Sequence, residues 1–211
     1  MSSIIPIGKD TWGSIAWNLI HNFSIHSSDN DCMYILIKTF GYILPCPTCK
    51  KHYNYFINDI YKLEKENSNK NLMIKYLYEL HNVINNNLDK NIEISYKKSI
   101  KIHNETKNDD IIFFIIIVYS NLNYKIMSFS EFDKIYNFFI CFMKNYPDKE
   151  IQKKYIKLLN SEQFKESDTP LTFQKWFKLY FKENKSIKKY YETYYDKYYE
   201  KYNKNRLKFI N

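Results

Sequence analysis

The chain is predicted to be all-α, and three observations carry that prediction. Its 211 residues include 3 Gly and 5 Pro, too few turn formers for the frequent reversals of a strand-rich fold. Apolar residues recur at intervals of three and four, as in Met33, Leu36, Ile37 and Phe40, or Phe132, Ile135, Phe138, Phe139 and Phe142. That is the spacing of one helix face. Capping residues stand ahead of these runs: Asp29, Ser128, and the pair Thr169-Pro170, which are helix-start signals.

Taken in order, Asp10 or Thr11 caps a first helix reaching about His26, with Trp12, Ile15, Ala16, Leu19 and Phe23 on its apolar stripe. Trp17 and His21 are four apart and lie one above the other. Asp29 starts a second helix that ends at 41–44, where Pro45 stops it. Pro47 suits the first turn of a third helix, Cys46 to about Leu63. A polar spacer, 64–70, leads to a fourth helix through about Leu88, whose core side is Leu72, Tyr76, Leu80, Val83, Ile84 and Leu88. His81 and Asn85 share one of its faces. Residues 91–108 are polar and broken, and a domain boundary is expected near Thr106 to Asp109, dividing the chain into 1–108 and 109–211.

Beyond that boundary, Asp110 caps the apolar run Ile111 to Tyr119, read as helix. Ser128 or Ser130 starts a helix to about Asn145, and Pro147 opens another to about Phe164. Thr169-Pro170 begins one containing Phe173, Trp176, Phe177, Tyr180 and Phe181. A last helix carries a tyrosine stripe through Tyr190, Tyr191, Tyr194, Tyr195, Tyr198, Tyr199 and Tyr202. The expectation is a second helical domain with its own core.

The net charge is +9 and the pI about 9.1. Because the lysines are spread along the chain, a solvated basic surface is favoured over a nucleic-acid interface. No run reaches the roughly 18 apolar residues that a membrane span requires. Met1 to Pro6 lacks the basic and apolar regions of a secretion signal, so a cytosol-like compartment is expected. Four cysteines in that setting point to catalysis or metal rather than to a structural framework.

The chain is organised around Cys46-Pro47-Thr48-Cys49. A helix N-terminus favours thiolate, which makes such a dithiol reactive. Zinc held by Cys46, Cys49 and His52 lacks a fourth ligand. A thioredoxin-like site needs a βαβ unit, and the flanks here are helical. Inert thiols do not explain a CxxC at a helix start in a basic segment. A dithiol exchanging electrons with an aromatic cofactor held among helices remains. Cys32 and Cys141 fall within predicted helices of different domains and are read as buried thiols.

Three spaced motifs give that reading a family. Gly13-x3-Trp17-x3-His21, Cys46-x2-Cys49-x2-His52 and His81-Asn82-x2-Asn85-x2-Leu88-x-Lys90 together resemble the Erv/ALR FAD-linked sulfhydryl oxidases over roughly residues 8–100. The layout is most similar to forms from large nucleocytoplasmic DNA viruses. The resemblance implies a four-helix bundle holding FAD, with a short fifth helix, as a homodimer. It implies that Cys49 lies against the flavin and that Cys46 meets incoming dithiols. Gly13, Trp17, His21, His52, His81, Asn82, Asn85 and Lys90 match cofactor-lining positions, and Tyr96 stands in for an aromatic residue near the adenine. No metal is implied. Electrons would pass from protein dithiols through Cys46, Cys49 and FAD to molecular oxygen, releasing hydrogen peroxide. With no further shuttle pair found in this chain, a thioredoxin-like carrier is an expected partner. The expected setting is host cytoplasm at viral assembly sites, and the virion, with no membrane partner. The alternative is a non-enzymatic helical adaptor with structural zinc at Cys46, Cys49 and His52, which would have no use for the His81 to Lys90 stretch.

Overall fold

The computed structural model describes residues 9–65, 69–87, 95–104, 111, 114–115, 118 and 127–183, and among these every regular element is helical. In chain order they are α1 (Lys9–His26), α2 (Asn30–Ile43), α3 (Pro47–Tyr55) with a π-helical turn (Phe56–Ile60), α4 (Lys70–Asn87) and α5 (Tyr96–Asn104). Then come α6 (Phe129–Lys144), α7 (Lys149–Leu159), α8 (Glu162–Lys165) and α9 (Pro170–Glu183). The expected caps at Asp29 and Ser128 form. Cys32 N–H donates to Asp29 Oδ1 at 3.0 Å, and Glu131 N–H donates to Ser128 Oγ at 3.2 Å. Each satisfies one of the donors a helix start leaves unpaired.

Several boundaries differ from the sequence reading. Helix α1 begins at Lys9, so Asp10 and Thr11 lie inside it. The third helix leaves α geometry at Phe56, and Lys62 follows with φ 46, a left-handed conformation uncommon for a residue other than glycine. The helix expected from Pro147 to Phe164 is two. Asp148 is the cap, accepting from the N–H groups of Glu150 and Ile151 at 2.9 and 3.0 Å, and Ser161 caps a new turn after Asn160. On α4 two apolar stripes overlap, and packing against α1 selects the second. Met73, Ile74, Leu77 and Leu80 are buried, while Leu72, Tyr76, Val83 and Ile84 are half-buried. Leu88, the expected boundary at 106–109, Asp110 and the 190–202 tyrosine stripe lie outside the described residues.

The core runs without a break from the first helices into the last. Helix α2 packs along α6, with α3 also against it, while α1 lies against α4 and α5. Phe23 of α1 stacks on Phe142 of α6 at 4.9 Å between ring centroids and meets Tyr146 edge-on at 5.8 Å. Phe40 of α2 lies 6.1 Å from both Phe114 and Phe138. Burying such a ring contributes about 1.5–3 kcal/mol, and an aromatic pair adds about 0.5–1.5 kcal/mol. The helices after 108 therefore share one core with those before it, where a separate core was expected. Lys50 of α3 also pairs with Glu131 of α6 at 3.2 Å.

Glycine has a steric role at one α2 position. A Cβ on Gly41 would run into the Asn54 side chain and come within 2.9 Å of Tyr53 Cδ1. The absence of a side chain lets α2 approach α3 and seats Tyr53, whose hydroxyl donates to Ile37 O at 3.0 Å.

Candidate active site

Helix α3 begins with the dithiol. Cys46 is the N-cap, in extended backbone, and its sulfur accepts from Cys49 N–H at 3.2 Å. Pro47 occupies the first turn, where its missing N–H costs nothing. Both cysteines are half-buried and packed on the core. One turn further on, Tyr53 shares a face with Cys49. The Tyr53 ring is fully buried and lies 6.5 Å from Trp17.

Trp17 opens a cluster of rings drawn from three helices. It stacks on His81 of α4 with centroids 4.2 Å apart and planes within 9°. One turn along α1, His21 stacks on His103 of α5 at 4.2 Å and 11°. The two stacks join through His21 Nε2 and His81 Nδ1, 3.2 Å apart. Neighbouring amides hold the assembly in place. Asn18 Oδ1 lies 2.9 Å from His103 Nδ1 and, being an acceptor, fixes the proton on that nitrogen. Asn22 Nδ2 donates to His103 O at 2.8 Å. Burial holds His21 well below the ordinary histidine pKa, with the neighbouring His103 and His81 acting in the same sense. Burial alone takes His103 down to about 4. Both imidazoles are uncharged at neutral pH.

The nitrogens of His21, His81 and His103 all lie within 4.8 Å of one another. They are poorly aimed for a metal ion. A ligated metal sits about 2.0–2.1 Å from nitrogen, in the plane of its ring, and the parallel faces of His21 and His103 cannot share such a point. Cys46, Cys49 and His52 form no metal-ligand grouping among the described residues, and His52 is exposed on α3. That exposure leaves the zinc-adaptor reading without a third inward ligand.

The other expected site residues distribute as follows. Trp17, His21 and His81 come together. Asn85 is buried one turn beyond His81, and Asn82 is half-buried beside it. Lys90 lies outside the described residues. Gly13 is half-buried on α1, and a Cβ there would meet nothing within 4 Å. Tyr96 is 38% exposed and pairs edge-on with Tyr78 at 5.3 Å, so it is not one of the stacked rings. The ring that α5 contributes is His103, which sequence reasoning missed. Ser99 and His103 are the buried residues of α5, and their four-residue spacing was the available signal.

Residues 14–107 match the Erv1 / Alr family. Over 85 residues the chain is 24% identical to a probable FAD-linked sulfhydryl oxidase of Acanthamoeba polyphaga mimivirus, an alignment covering 37% of this chain and 59% of that protein. The chain thus spans well under two thirds of that relative's length. No solved structure matches the chain.

Proposed function

We propose, from the match of residues 14–107 to the Erv1/Alr family, that this chain is an FAD-dependent thiol oxidase forming disulfides in protein substrates. The observation that carries the reading is the approach of two features. The face of α3 shared by Cys49 and Tyr53 turns toward Trp17, and Trp17 stacks into the histidine cluster. The dithiol helix and the ring cluster thus meet through the Tyr53–Trp17 approach.

The donor set fits a planar heteroaromatic cofactor. Trp17 and His81, both half-buried, offer ring surface beside the buried His21 and His103, and Asn85 offers an amide. Asn22 Oδ1, buried and without a hydrogen-bond partner, offers an acceptor next to His103. These residues would hold FAD, with Asn82, Lys90 and Gly13 matching further family positions. When bound, FAD supplies a two-electron acceptor that oxygen can reoxidise with release of hydrogen peroxide.

The chain's own part is thiol–disulfide exchange. In the oxidised pair, a substrate thiolate attacks Cys46 and forms a mixed disulfide, while Cys49 leaves as a thiolate. A second substrate thiol attacks the substrate sulfur, releasing Cys46 and completing the substrate disulfide. Two electrons and two protons then reside on Cys46 and Cys49. Cys46 caps the helix and Cys49 lies within its first turn, and both are half-buried. Burial favours the neutral form of His21 and His103 within the ring cluster.

The proposed partners are protein dithiols, presented directly or by a thioredoxin-like carrier, with oxygen as terminal acceptor and a second copy as homodimer partner. The proposed setting is host cytoplasm at viral assembly sites and the virion, by likeness to a viral relative. No described helix is long and apolar enough to cross a membrane.

The test is the visible absorption spectrum of the purified chain, before and after dithiothreitol under anaerobic conditions. A flavin spectrum that bleaches with the dithiol and returns with air is expected, and Cys49→Ala is expected to keep the colour and lose the bleaching. A colourless protein that takes up no added FAD and consumes no thiol would overturn the proposal.

A further inference from the structure

The two cysteines outside the CxxC pair meet where α2 packs on α6. Cys32 lies in the first turn of α2, beneath the Asp29 cap. Cys141 lies in the last turn of α6, where its carbonyl accepts from both the N–H and Nδ2 of Asn145 at 3.1 Å. These helix ends are fastened to one another: Ser27 Oγ donates to Asn145 Oδ1 at 2.9 Å, and Phe23 stacks on Phe142 at 4.9 Å. Both cysteines are free thiols buried in one continuous core, at 6% and 3% exposure, at the seam where the two helices pack. Two buried thiols at one helix seam, joined there by the Ser27–Asn145 hydrogen bond and far apart in sequence, are a starting arrangement for a disulfide. Each thiol bears on the other, Cys141 holding Cys32 below its ordinary pKa and Cys32 with burial pushing Cys141 upward.

We propose that Cys32 and Cys141 form a disulfide that staples α2 to α6, and with it the segment before position 108 to the helices after it. The bond forms by exchange with an external disulfide. Cys32 thiolate attacks one sulfur of that disulfide, whose other sulfur leaves as a thiolate. Cys141 then gives up its proton and attacks the Cys32 sulfur, closing the intramolecular bond and releasing the second external sulfur. The pair loses two electrons and two protons, and the external disulfide gains them as two thiols. Burial confines the exchange to the folding chain, before α2 and α6 close over the sulfurs. It then shields the finished bond from reductant. Oxidised glutathione is a sufficient oxidant, so the staple does not depend on the flavin reading.

The experiment uses the full chain carrying Cys46→Ala and Cys49→Ala, leaving Cys32 and Cys141 as its two thiols. The protein is refolded in excess oxidised glutathione, denatured without reductant, alkylated with N-ethylmaleimide and mapped by peptide mass spectrometry. Linked Cys32 and Cys141 peptides that dithiothreitol separates are expected. Because the bond closes a loop of about 110 residues, prior reduction should lower the thermal midpoint on the order of 10 °C. Cys32→Ala should abolish that difference. Refolded, helical protein with both thiols alkylated, or both carrying glutathione, would overturn the proposal. Should the double variant fail to refold, the same mapping on the wild-type chain purified in air decides the matter. Linkage supports the staple, and alkylation of both residues sinks it.

Discussion

Acid should unfasten this protein through the histidine cluster before it reaches the carboxylates. His103 has a folded-state pKa of about 4 against an ordinary value of 6.5. The unfolded chain therefore binds a proton that the folded chain refuses. For a histidine depressed in this way, stability is complete above 6.5 and falls as pH drops toward 4. The difference corresponds to about 3 kcal/mol at the lower limit, and to about 2 kcal/mol after allowing for residual solvation at the edge of the ring. His21 shifts in the same direction and deepens the loss. Asp29 titrates below 3.8, held down first by the N–H of Cys32. Its stabilising effect is present above that value and lost beneath it, outside the histidine window. Thermal unfolding followed by circular dichroism at pH 7.5, 6.5, 5.5 and 4.5 should show a midpoint falling by about 4–8 °C across the last three points. His103→Gln removes the titrating ring, and its curve should be visibly flatter. A flat wild-type profile, or parallel profiles for wild type and variant, would refute the reasoning.

Two further expectations rest on packing. Gly41→Ala should destabilise the fold by about 1–3 kcal/mol, since a methyl group there meets Asn54 and Tyr53. Gly13→Ala meets nothing and should leave the thermal midpoint unchanged or raised, by up to about 1 kcal/mol of helix propensity. A chain ending at residue 108 would lose Phe138, Phe142 and Tyr146 from its core. It should elute as aggregate in size-exclusion chromatography and melt without a cooperative transition, whereas a monodisperse, cooperatively melting fragment would contradict the shared core.

Much of this architecture could be read from the sequence because its signals are local. Asp29, Pro47, Ser128 and Pro170 mark helix starts through their own backbone and side-chain chemistry, and the structure uses each of them near its expected place. The CxxC, Trp17-x3-His21 and His81 were legible because spacing along one helix fixes a face. What escaped depends on partners far away in the chain. On α4, 72-76-80-83 and 73-77-80-84 are both apolar stripes, and only the position of α1 decides between them. His103 sits in a polar nine-residue helix, KKSIKIHN following Tyr96, and gains its place by stacking on His21, 82 positions earlier. Periodicity showed that α2 and α6 each have an apolar face but not that they pack together. Cys32 and Cys141 were therefore read as buried thiols of different domains; both are buried, but at one helix seam.

The packing of α2 on α6 also sets a clock. During synthesis, α2 is complete while its main partner is still some 85 residues from being made. At 5–20 residues per second, that is an interval of roughly 5–20 s. Throughout it, Leu36, Ile37 and Phe40 have only the first helix, α3 once it follows, and whatever chaperone is at hand to cover them. The fold is thus closed from its far end. A premature stop or a pause in translation anywhere between 44 and 129 would leave an apolar helix waiting, and aggregation rather than a smaller working protein is the outcome that arrangement favours.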